Sequence, residues 1–285
     1  MTSSGGFKAL AAAAAALGRL DRRTTRVLAA ARASADGFFG QALSPKERAA
    51  LGKALYNDSP EFSDPGKLFD WEARWFEGTL PKPGGRILVG GCGAGRELLA
   101  LEAMGYRVDG FDPAPRYVQQ CQERSLPDAL VLVGDYESLT QTVLEDRPVG
   151  RLGELCQRRY EAVLLGWGSF THVLEPNAQL RALQALARLC PDGPLLLSFW
   201  GEGLQGAPRR RQGRAFGLGQ RLGGALGRWR GVTSPASDAE TYITTLGFGY
   251  TFGAGQLEGL ALALGRRLEW TPDPQVYGHA ALWPR

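Results

Sequence analysis

From Arg86 onward, short apolar runs alternate with helical patterns, and this alternation restricts the fold more than any other feature of the chain. The runs are Ile87–Val89, Tyr106–Phe111, Leu130–Val133, Ala162–Leu165 and Leu195–Trp200. Helical patterns lie between them over Glu97–Met104, near Arg116–Arg124 and over Leu180–Leu189. Strands alternating with helices imply a parallel sheet covered on both faces by right-handed crossovers. Such sheets bind ligands beyond the carboxyl ends of their strands, so the residues after each run are the candidates for chemistry. Further on, Tyr242–Phe252 alternates aromatic and small residues like a strand or hairpin. A helix at Gln256–Leu264 and strands at Arg267–Trp270 and Val276–Leu282 follow. The turn Pro272-Asp273-Pro274 suggests a hairpin-like, antiparallel finish.

Residues 1–80 read as a mainly helical amino-terminal cap, and 81–285 as the main domain, with Pro81, Pro83, Gly84 and Gly85 at the boundary. Ser44-Pro45-Lys46-Glu47 supplies a serine cap and a proline at the first helical position. Leu68–Gly78 is a second helix, with Trp71 and Trp75 on one face. The stretch Phe7–Leu17 superficially resembles a signal-peptide core, but Lys8 falls within it and no basic residue precedes it. It reads better as an alanine-rich helix. No later stretch reaches about eighteen uninterrupted apolar residues. A cytoplasmic protein with no membrane partner is therefore expected.

Net charge is +4, from 33 basic and 29 acidic residues. It is concentrated locally. Between Gly203 and Ser237 there is no acid, while Arg209, Arg210, Arg211, Arg214, Arg221, Arg228 and Arg230 all lie there. Without them the chain is net acidic, so its balance is not that of a general nucleic-acid binder. The glycine-rich segment 201–240 reads as a mobile insertion, either a solvated loop or a lid that attracts an anionic substrate or partner. Four scattered cysteines without a C-x-x-C pair, and two histidines, argue against a metal site and need no disulfide.

The first strand runs into Gly90-Gly91-Cys92-Gly93-Ala94-Gly95 and then a helix. Glycines there permit a tight turn and let a ligand approach the backbone. A dinucleotide fingerprint beginning at Gly91 would need a third glycine where Arg96 stands, so the motif is one residue shorter. The second strand ends at Asp112, followed by Pro113, and the third at Asp135, followed by Tyr136. Singly, each acid reads as a turn or cap former. On successive strand ends they suit a ribose and a purine amino group.

This constellation resembles the class I S-adenosylmethionine-dependent methyltransferases, over roughly residues 85–200 and 240–283. The resemblance implies an α/β fold: a Rossmann-like, seven-stranded, mostly parallel sheet with an antiparallel last strand, plus the helical cap and the Arg/Gly-rich insertion. It implies S-adenosyl-L-methionine as cofactor, with Gly91, Gly93 and Gly95 near its methionine moiety, Asp112 and Pro113 at the ribose, and Asp135 with Tyr136 at adenine. Gly166 and Trp167, after the fourth strand, would lie beside the transferring methyl. The family's frequent acid two residues before the glycine motif is replaced by Val89. Backbone carbonyls or an amino-terminal residue would have to hold the methionine amino group instead.

No D/N-P-P-Y/F motif follows the fourth strand, and no cysteine there could act as nucleophile. Cys92 and Cys190 read as structural. Direct transfer to oxygen, nitrogen or sulfur of a small molecule remains, with His172 either a base or a partner of the following helix. Trp71 and Trp75 are either core or ligand wall, the W-x-x-x-W pattern being similar to that of the thiopurine methyltransferase group. Tyr242 and Tyr250 are candidate substrate contacts, and His279 reads as structural. An RNA or protein acceptor held by the basic insertion is the competing reading, and a dehydrogenase-like nucleotide binder a more distant one. The sequence leaves the acceptor and the oligomeric state open.

Overall fold

The computed structural model describes residues 24–59, 68–124, 126, 128–202, 213–271 and 278–285. Residues 24–44 and 213–235 form one compact unit and the other described residues a second, larger one.

In the larger unit, α2 (Pro45–Asp58) and α3 (Asp70–Thr79) precede β1 (Arg86–Gly90), α4 (Arg96–Ala103), β2 (Arg107–Asp112), α5 (Pro115–Gln122), β3 (Val131–Val133) and α6 (Tyr136–Leu144). β4 (Ala162–Leu165), α7 (Pro176–Leu189) and β5 (Leu195–Gly201) complete the alternation. β1 lies between β2 and β4 and is parallel to both, giving the parallel order β3-β2-β1-β4-β5. The strand order therefore reverses at β1, which opens a crevice beyond the strand ends.

The far edge is more elaborate than expected. β8 (Arg267–Trp270) pairs antiparallel with β9 (Gly278–Trp283), and β9 pairs antiparallel with β5 over Leu195–Phe199. The residues of the Pro272–Pro274 turn lie outside the described ones. An additional hairpin, β6 (Glu240–Ile243) and β7 (Gly247–Phe252), joins where β5 outruns β9. Trp200 and Gly201 pair there in parallel with Thr251 and Phe252. Among the described residues the sheet thus has nine strands rather than the seven expected. Helix α9 (Ala254–Ala263) connects β7 to β8.

The parallel strands are mostly apolar because helices cover both faces. Ile87, Val89, Val108, Ala162, Leu164 and Leu196 form one core with Leu98 and Leu101 of α4 and Trp75 and Phe76 of α3. Among the buried charges of the sheet, one lies at the middle of β2. Asp109 on β2, fully buried, accepts hydrogen bonds from Leu130 N (2.8 Å), Tyr160 Oη (3.0 Å) and Arg86 Nη1 (3.3 Å). A buried carboxylate persists only when paired and hydrogen-bonded in this way.

In the smaller unit, part of the segment 201–240, read as a mobile insertion, loop or lid, is regular structure. Residues 214–229 form helix α8 (Arg214–Trp229), which pairs with α1, the helix over residues 24–42. Glycine is a poor helix former in isolation, but here it removes side chains from the contact. A Cβ added at Gly219, Gly223 or Gly227 would stand 2.0, 2.2 or 2.3 Å from the carbonyl oxygens of Ser34, Phe38 and Gln41. One added at Gly37 would stand 2.3 Å from that of Phe216. The helices meet backbone to backbone, and Arg230 Nη1 donates to Ala42 O at 2.9 Å. Arg209, Arg210 and Arg211 lie outside the described residues.

Candidate active site

The turn after β1 hangs from the neighbouring strand: the N–H groups of Gly91 and Cys92 both donate to Phe111 O, at 2.9 and 3.2 Å. Gly91 adopts φ +66°, and a Cβ there would come within 2.3 Å of Ser169 Cβ. Gly93, at φ +52°, presents its N–H to Asp112 Oδ2 at 2.8 Å. Both conformations are left-handed and favour glycine. Gly95 caps α4 against Cys121 and does not reach the cavity.

That cavity, of about 500 Å³, lies beyond the carboxyl ends of β1 to β4, a volume typical of small-molecule sites. Asp112 sits on its wall, only 1 % exposed. Besides Gly93 N–H, it accepts from Ala114 N (2.9 Å) and from Tyr56 Oη (3.4 Å). Burial raises its carboxyl to about 6, partly offset by the Ala114 and Gly93 N–H groups. Tyr56 is itself raised by burial and by Asp112, so it remains the donor of that pair. Asp135 is engaged differently. Its Oδ1 caps α6 through Ser138 N (2.7 Å) and Ser138 Oγ (2.6 Å), while Oδ2 pairs with Lys53. Burial alone would raise this carboxyl, but Lys53 and Ser138 hold it below the usual carboxylate range.

Deeper in, Glu97 of α4 lines the cavity at 4 % exposure. A Cβ on Gly166 would lie 3.1 Å from Glu97 Oε1 and 3.7 Å from Val89 Cγ1, so α4 brings a carboxyl beside Val89. Arg96 Nη2 bridges Glu97 (2.8 Å) and the buried Glu72 of α3 (2.7 Å). Burial pushes Glu97 upward, partly offset by Arg96. The same guanidinium stacks 4.8 Å from the Trp167 ring, whose backbone is in the left-handed region at φ +26°. A non-glycine residue held there costs about 1–3 kcal/mol.

At the other end of the cavity stand His172, Trp200 and Phe248. His172 Nδ1 lies 3.0 Å from Phe248 O. A carbonyl can only accept, so Nδ1 carries the hydrogen and the neutral ring leaves its lone pair on Nε2. Burial lowers the imidazole below its ordinary value, partly offset by that hydrogen bond. Tyr136 Oη and Ser169 Oγ are 2.7 Å apart beneath the glycine turn.

The structure thus brings Gly91, Gly93, Asp112, Pro113, Asp135, Tyr136, Gly166, Trp167 and His172 to one cavity. Four residues expected at the substrate lie elsewhere. Trp75 is buried in the α3 core and Trp71 packs against it, their rings 5.0 and 3.9 Å from His279 on β9. Tyr242 and Tyr250 are buried in the β6–β7 hairpin, where Gln256 donates to Tyr250 Oη. These four do not line the cavity. The aromatic spacing of the two tryptophans was a core signal. Sequence reading missed Lys53, Tyr56 and Glu97. The helix start at Pro45 marked α2, but nothing local showed that it covers the strand-end acids. Cys92, whose thiol hydrogen bonding to Cys121 and burial push well up, is no nucleophile.

A parallel sheet reversing at β1, a glycine turn into α4 and an antiparallel closing strand make a Rossmann-like α/β fold. Among solved structures, the chain is similar to the 1,6-didemethyltoxoflavin-N1-methyltransferase of Burkholderia thailandensis, bound to 1,6-didemethyltoxoflavin and S-adenosylhomocysteine. That match has 17% identity and a TM-score of 0.51, covering 85% of this chain and 91% of the other. It is similar also to the CcbJ methyltransferase of Streptomyces caelestis, at 13% identity and TM-score 0.52, covering 81% and 95%. At these identities the likeness establishes the fold. No family model matches the chain, and no curated protein does.

Proposed function

We propose that the chain is an S-adenosylmethionine-dependent methyltransferase acting on an oxygen, nitrogen or sulfur atom of a small molecule. The observation that carries this reading is Asp112: a buried carboxylate on the cavity wall, beside a turn with glycine at positions 91 and 93. A carboxylate with acceptor capacity there fits two adjacent ribose hydroxyls. Glu97 replaces the acid missing at Val89 and would hold the methionine amino group, with Arg96 as its fixed counter-ion. Pro113 and Tyr136 would flank the nucleoside, and Gly166 and Trp167 the sulfur end. Asp135 already caps α6 and pairs with Lys53, and its remaining acceptor capacity would take an adenine amino group.

When bound, the cofactor supplies an electrophilic methyl group on a positively charged sulfur. The chain's work is then alignment and proton transfer. His172 Nε2, kept neutral by burial, accepts the proton of an acceptor hydroxyl or amine, while Phe248 O fixes the ring's tautomer. Trp200 and Phe248 supply apolar walls that exclude water.

Incubation with methyl-labelled S-adenosylmethionine and a panel of phenols, amines, thiols and carboxylates tests this. Label should pass to a small molecule, and His172→Ala should slow transfer about 100-fold with cofactor affinity retained. Labelling of RNA or protein alone would overturn the acceptor assignment.

A further inference from the structure

The smaller unit carries a pattern that methyl transfer does not use. Helix α8 has two faces, read at 3.6 residues per turn. Phe216, Gly219, Gly223 and Gly227 are buried. On the opposite side Arg214, Leu218, Arg221, Leu222, Arg228 and Trp229 all stand exposed. Leu218 and Leu222 are each 56% exposed and Trp229 83%. Large apolar side chains aligned in solvent in this way mark an interaction surface. The arginines recur every seven residues and flank the apolar stripe, and no acid lies between Gly203 and Ser237.

We propose that α8 is an interfacial helix that seats Leu218, Leu222 and Trp229 in an anionic lipid surface, with Arg214, Arg221 and Arg228 at the headgroups. An amphipathic helix with arginine beside leucine and tryptophan has the composition such binding requires. Arginine stems extend along apolar surface while their heads reach phosphate oxygens. The helix has 16 residues, and among the described residues none is long and apolar enough to cross a membrane. It therefore lies on the surface. Charge disfavours other occupants. A second copy would set arginine against arginine, and the chain's own residues 1–23 are basic, with Lys8, Arg19, Arg22 and Arg23. A nucleic-acid groove would interleave several stacking rings with its cations, whereas this face has Trp229 alone.

Flotation of the full chain with phosphatidylcholine vesicles, with and without phosphatidylglycerol, tests the assignment. The chain should float with the anionic vesicles and not with the neutral ones, and added salt should weaken the retention. Arg221→Ser should lower partitioning about fivefold, the scale of one cation at an anionic surface. The pair Leu218→Ser and Leu222→Ser keeps the charge and should lower it about tenfold or more. Circular dichroism should show unchanged helix content in both variants, whose altered side chains point to solvent. Failure to float with anionic vesicles, or full retention by the double leucine variant, would overturn the proposal. Preferential capture of an RNA oligomer or polyglutamate under the same conditions would do so too.

Discussion

Asp112 serves two opposed requirements. As a buried group it is cheaper protonated, and as a ribose acceptor it must be ionised. Its folded value of about 6 lies above that of an unfolded aspartate, so protonation near that pH stabilises the fold. The same protonation removes acceptor capacity. Cofactor affinity should therefore fall as pH drops through about 6, as titration calorimetry would register, while Asp112→Ala binds weakly throughout. His172 runs the other way. Its folded value lies below the ordinary imidazole value, so falling pH protonates the unfolded chain first and destabilises the fold. At saturating cofactor, where the Asp112 effect on binding does not enter, the acid limb of kcat should sit below the usual histidine range and vanish in His172→Gln. Asp112 was legible because it ends a strand beside a glycine turn. Glu97 was not, because its role depends on which face of α4 turns inward.

At the scale of elements, α2 is fastened to the β6–β7 hairpin by a buried ion pair. Arg48 Nε donates to Glu240 Oε2 at 2.9 Å and Nη2 to Oε1 at 3.3 Å, with both side chains nearly inaccessible. Removing one partner strands the other charge. Arg48→Met should cost about 3–5 kcal/mol in urea denaturation, and adding Glu240→Gln should restore part of it. Gly249 on β7 backs the Trp200 ring, where a Cβ would stand 1.9 Å from Cζ3. Gly249→Ala should cost about 1–3 kcal/mol and raise the acceptor KM, with cofactor affinity retained. The parallel strands were readable because a strand covered on both faces is mostly apolar. Helix α8 was not, because its glycines gain their value only from α1. The β6–β7 hairpin showed its alternation, but not its pairing with the end of β5.

For the whole molecule, two compact units hold different chemistry: a cavity at a strand reversal, and a helix pair with a cationic, apolar face. The glycine seam holds the second. Gly223→Val would drive a side chain into the backbone of Phe38, and helix content by circular dichroism should fall. In the first, the cavity is proposed to take an adenosylated sulfur cofactor on Asp112. Titration calorimetry with S-adenosylhomocysteine and with NAD, on the parent and on Asp112→Ala, tests it most directly. S-adenosylhomocysteine should bind saturably, weakened by about 2–3 kcal/mol in the variant, and NAD should not bind. Binding of NAD in its place, or parental affinity for S-adenosylhomocysteine in Asp112→Ala, would contradict it.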